Sequence, residues 1–91
     1  MTDRVVTVVP EAGLHARPAA EFVETANEYD CKIEAGLADN GERVDARSML
    51  AVTSLGAGCG DNVALSAEGE DAEDALDALE AVLSTSEGDG G

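Results

Sequence analysis

The sequence predicts an α+β fold, one antiparallel sheet carrying helices on one face, with elements in the order β-α-β-β-α-β-α. Three observations predict it. Apolar residues alternate in two segments, β-branched residues crowd a third, and apolar residues recur at helical spacing in three others. The triplet Asp39-Asn40-Gly41 is a tight-turn signal between two strand-like segments, which makes them a hairpin. At 91 residues the chain is long enough for one core and too short for two.

Each element has its own justification. Arg4 to Val9 is rich in β-branched residues and closes at Pro10, so it reads as a strand followed by a loop to Gly13. From Ala16 the period changes. Ala16, Ala19, Ala20, Val23 and Ala26 share a helical face while Glu21, Glu24 and Glu28 point elsewhere, and the helix should end near Tyr29 or Asp30. Cys31, Ile33 and Ala35 alternate with Lys32 and Glu34, and Arg43 to Ala46 returns as a short partner strand. Ser48 to Leu55 fits a short helix capped by Ser48 and stopped by Gly56. After the loop Gly56-Ala57-Gly58-Cys59-Gly60, Val63, Leu65 and Ala67 alternate in the last strand. Ala72, Ala75, Leu76, Leu79, Val82 and Leu83 mark an amphipathic final helix. A single domain is expected over 1–84, followed by a flexible polar tail over 85–91.

Composition excludes several functions. Twenty acidic residues face five basic ones, a formal net charge of −15, so no Lys/Arg cluster exists to bind nucleic acid. No basic N-terminus leads into an apolar run and no apolar stretch could span a bilayer, so a soluble, cytoplasmic monomer without membrane insertion is expected. Phe22 and Tyr29 are the only aromatic residues, so the core must be aliphatic. The acidic excess is spread along the chain, which points to a salt-rich cytoplasm. At about 1 M salt the Debye length is only about 3 Å, and exposed carboxylates then repel one another far less. The thermal midpoint should therefore climb through molar KCl, and a salt-insensitive midpoint would remove the halophilic reading.

Cys31 and Cys59 are too far apart for a metal site of paired spacing, so no metal or other cofactor is implied. They could form one disulfide, but reduced thiols are the expectation in a cytosolic domain. A metal or thiol protein built on Cys31, Cys59 and His15 would need ligands from three distant segments.

The chemistry concentrates at Gly13-Leu14-His15-Ala16-Arg17-Pro18. His15, the only histidine, stands where a helix begins. Neutral imidazole is a nucleophile near physiological pH, and it can accept and return a reactive group. A helix N-terminus offers free N–H groups and a positive dipole end, and Arg17 adds a planar cation suited to phosphate oxygens. Nucleophile, anion cradle and counter-charge within a few residues describe a transient phosphohistidine. The bland alternative is a turn histidine beside a helix-starting proline.

This segment resembles the active-site stretch of the HPr family, the histidine phosphocarriers of the phosphoenolpyruvate-dependent sugar phosphotransferase system. Arg47-Ser48-Met49-Leu50-Ala51-Val52-Thr53-Ser54-Leu55-Gly56 is similar to the segment around that family's regulatory serine, and Glu70 to Leu76 to the start of its last helix. The resemblance covers nearly the whole chain and implies an open-faced sandwich of four strands and three helices. It implies that His15 takes a phosphoryl group from phosphorylated Enzyme I through Nδ1 and passes it to the A component of an Enzyme II. The protein is then a carrier, not an enzyme. Arg17 would neutralise the phosphoryl group, the Ala16 and Arg17 backbone N–H groups would bind its oxygens, and Pro18 would set the first turn. The positive helix end disfavours imidazolium, so His15 is expected to titrate below about 6.5.

Met49, Leu50 and Thr53 stand where the family has its apolar partner-contact patch; the alternative is that Met49 and Leu50 are core positions of an amphipathic helix, and for Met49 the two readings balance. Ser48 matches a position that an HPr kinase phosphorylates in some branches, but a serine at a helix start is an N-cap far more often than a switch, so regulation is the lesser reading. The chain departs from the family in its acidic first helix and in Ala12, where many relatives carry a hydroxyl. These changes leave open which Enzyme II A component is served, a fructose-type one included. Two alternatives share the fold: a regulatory HPr-like protein, and a carrier feeding a soluble dihydroxyacetone kinase.

Overall fold

The computed structural model describes residues 2–9, 13, 16–39 and 41–84. Pro10, Asn40 and the expected tail over 85–91 lie outside the described residues. Along the chain run β1 (Thr2–Thr7), α1 (Ala16–Asn27), β2 (Lys32–Leu37), β3 (Val44–Asp45), α2 (Met49–Ser54), β4 (Asn62–Glu68) and α3 (Ala72–Ser84). They form one sheet in the order β1-β4-β2-β3 with every neighbouring pair antiparallel. β1 and β2 both run opposite to β4, so their C-terminal ends share one edge of the fold.

The register sorts side chains onto two faces. Val6 lies opposite Val63, Arg4 opposite Leu65, and Ile33 and Ala35 opposite Ala67 and Leu65, on the face that the helices cover. Phe22 of α1, Val52 of α2 and Leu76, Leu79 and Leu83 of α3 close over it, all fully buried. The other face stays open, with Val5 61% exposed. There Ser66 donates to Asp3 at 2.6 Å and Thr7 donates to Asn62 at 2.7 Å. Arg4 reaches over α3 and bridges Asp77 and Glu80, placing one of five cations between two of the twenty acids.

Three local expectations shift. The first strand ends at Thr7 because Val8 and Val9 take partners outside the ladder: Val8 donates to Asp61, and Val9 donates to Leu83 at the end of α3. The strand expected over Arg43 to Ala46 is reduced to Val44 and Asp45, paired with Ala35 and Glu34. Ala20 is exposed, although it was placed on the apolar face of the first helix. That face centres on Ala19, Phe22 and Ala26, and one further residue turns the side chain by about 100°. Cys31 is buried just before β2, and burial pushes its thiol above the usual range, helped by Asp71 and Asp30 and opposed by Arg47. Such a shift favours the protonated thiol over the nucleophilic thiolate.

Candidate functional site

α1 begins at Ala16, so His15 is the residue immediately before the helix in the chain. His15 itself, Leu14 and the side chain of Ala16 lie outside the described residues. Arg17 and Pro18 occupy the first turn. Pro18 is buried, and its missing N–H has no intrahelical acceptor at this position. The first turn of α1 carries no acidic residue, whereas α3 begins with Glu73 and Asp74. The positive end of α3 is thus complemented within its own helix, while the first turn of α1 carries no such acid. Arg17 is 78% exposed, and its Nε stands 3.9 Å from a Glu21 carboxylate oxygen. So long and exposed a pair holds the guanidinium weakly and leaves it available to phosphate oxygens.

α1 packs against α2, which brings the second motif to the same side of the sheet. Ser48 caps α2 from an extended backbone (φ −100°, ψ 114°), its hydroxyl accepting from Ala51 N–H at 3.3 Å. Arg47 donates to the carbonyls of Tyr29 and Cys31, tying the entry of α2 to the exit of α1. Within α2 the buried residue is Val52, while Met49 is 40% and Leu50 78% exposed. Exposure removes the core reading of Met49 and Leu50. The Thr53 hydroxyl turns back to the Met49 and Leu50 carbonyls. Ser48→Ala should cost about 1 kcal/mol in a denaturant titration, the usual loss of an N-cap.

Sequence reasoning missed one contact. Gly13 has φ +75°, and a Cβ there would stand 2.6 Å from the Ala57 carbonyl oxygen and 2.8 Å from Gly58 Cα. Only glycine admits both the left-handed backbone and this approach. The glycine-rich run 56–60 was the available signal, read simply as a loop. A concavity of about 400 Å³ lies at the opposite end of the sheet, against Asp30, Cys31, Glu34, Asp45 and Arg47. Among the described residues no group of three His, Cys, Asp or Glu side chains could hold a metal ion. The described part of the site is the first turn of α1 with its exposed cation, on the same side of the sheet as the exposed apolar residues of α2. Such a surface suits a group handed from one protein to another better than a small substrate held in a pocket.

The family model for the PTS HPr component phosphorylation site matches residues 2–85. The chain belongs to the HPr family. Phosphocarrier protein HPr of Haloferax volcanii is 62% identical over 85 residues, covering 93% of this chain and 96% of that protein. Phosphocarrier protein HPr of Treponema pallidum is 42% identical over 71 residues, 78% of each chain. The crystal structure of the phosphocarrier protein HPr from Bacillus anthracis matches with a TM-score of 0.84 at 39% identity, over 90% of this chain and 95% of that one. The protein is accordingly a phosphocarrier of the phosphotransferase system and not itself a catalyst. HPr membership brings Enzyme I and an Enzyme II A component as partners. The Haloferax relative supports the halophilic reading of the acidic surface.

Proposed function

We propose that His15 is the residue that carries the phosphoryl group, within a phosphocarrier domain spanning 1–84. The observation that carries this reading is the acid-free first turn of α1, with an exposed Arg17 two residues after the only histidine. Phosphorylation converts imidazole into a group bearing up to two negative charges, which the helix end and the guanidinium both favour. The Ala16 and Arg17 N–H groups bind phosphoryl oxygens, and Pro18 sets the turn that aims them. Met49, Leu50 and Thr53 form the contact patch for Enzyme I and the acceptor. In molar salt charge steering is screened, so this patch carries more of the docking than the acidic helix does.

The destination is an Enzyme II A component of fructose type, with dihydroxyacetone kinase as the competing acceptor. The carrier works in the cytoplasm. Phosphoenolpyruvate and Enzyme I from the same organism, in molar KCl, should label the protein with an acid-labile, alkali-stable phosphoryl group. Absence of label with active Enzyme I would defeat the reading. Growth of a deletion strain on fructose against other carbon sources then separates the acceptors.

A further inference from the structure

We propose that Asp61 is a positioning residue for phosphoryl transfer, holding the loop over 56–60 against both ends of the segment that leads to His15. The inference rests on His15 being the phosphoryl acceptor. Upstream, Val8 donates to the Asp61 carbonyl at 2.9 Å and accepts from Gly60 N–H at 2.8 Å. Cys59 Sγ donates to the Val9 carbonyl at 3.4 Å, and Val9 N–H donates to Leu83 at 2.8 Å. Downstream, Gly13 lies against the Ala57 carbonyl and Gly58 Cα, two residues before His15.

The loop is thus a template against which Val8, Val9 and Gly13 are laid, and a template must itself be stiff. Three of its five residues are glycine, which on its own would leave it many conformations. Asp61 closes it: its carboxylate accepts Gly58 N–H at 2.9 Å, and its own N–H donates to the Gly58 carbonyl at 3.0 Å. The side-chain bond fixes Gly58, the residue whose α-carbon meets Gly13. The loop also follows α2 closely in the chain, so it joins α2 to Val8, Val9 and Gly13.

Asp61 touches no reacting atom, so its removal should act on the transfer step and leave docking alone. With Enzyme I in molar KCl, Asp61→Ala is expected to lower kcat about tenfold with KM for the carrier unchanged, as expected for a misplaced reacting group. Asp61→Asn, whose amide oxygen can accept the same N–H, should restore most of the rate. Gly13→Ala, which forces Ala57 and Gly58 away, should repeat the kcat loss and serves as the second variant if Asp61→Ala fails to fold. Wild-type rates in the folded variants would overturn the proposal. So would a raised KM at constant kcat, or an Asp61→Asn protein as slow as Asp61→Ala. Failure of the underlying reading looks different: wild type itself takes no label, or His15→Ala keeps it, and the proposal falls with it.

Discussion

His15→Ala is expected to lose phosphoryl transfer from Enzyme I altogether, by at least about three orders of magnitude, the scale on which removal of a nucleophile is read. The chain contains no second histidine, so no other imidazole can take over. Three of the other nucleophiles are poorly suited. Cys31 is buried with its thiol pushed up, and the hydroxyls of Ser48 and Thr53 are engaged with the backbone of α2. Arg17→Ala should fall between wild type and His15→Ala. A hydrogen bond to a charged group is worth about 1.5–3 kcal/mol, which corresponds to roughly a 10–100-fold loss. Arg17→Lys should recover part of it, because the ammonium keeps the charge but not the planar fork. Since Arg17 is exposed and only loosely paired with Glu21, its removal should leave the thermal midpoint nearly unchanged. A label that survives in His15→Ala, mapped to any other residue, would sink the assignment.

Helix and strand periods are written in near neighbours, which is why all seven elements and their order were legible. The candidate site could be proposed for the same reason. Histidine, arginine and proline fall within four residues of the chain, and the helix start that would make them an anion site depends only on local pattern. What escaped depends on contacts between distant segments. The strand end moved from Val9 to Thr7 because Asp61 and Leu83 claim the backbone of Val8 and Val9, and neither is near in sequence. Ala20 misled because alanine is as acceptable in solvent as in a core, so it reports the helix period without fixing the buried face. Phe22, by contrast, fixes that face and was the residue to trust. Met49 and Leu50 were ambiguous for the opposite reason: an apolar residue in a short helix says that it must be covered, but not by what. The structure leaves them in solvent, and membership of a carrier family supplies partners that could cover them.

Phe22→Ala is expected to be the most damaging single change to stability. Phe22 is fully buried and is the only phenylalanine in the chain. Truncating a buried phenylalanine costs about 3–5 kcal/mol, against a total of roughly 5–15 kcal/mol for a domain. The upper part of that range applies because the buried set contains many alanines, among them Ala19, Ala26, Ala35 and Ala75, which have no rotamers with which to refill a cavity. A loss of about 4 kcal/mol corresponds to a fall of roughly 20 °C or more in Tm for a domain of this size. Phe22→Leu should cost far less, because most of the volume is retained. Salt separates this mechanism from the electrostatic one. Raising KCl from about 0.5 M to about 3 M screens repulsion among the carboxylates and should raise both midpoints, wild type and variant. The gap between them should stay nearly constant, because the removed contacts are apolar. A gap that closed in high salt would mean that Phe22→Ala had loosened the acidic surface instead of hollowing the core.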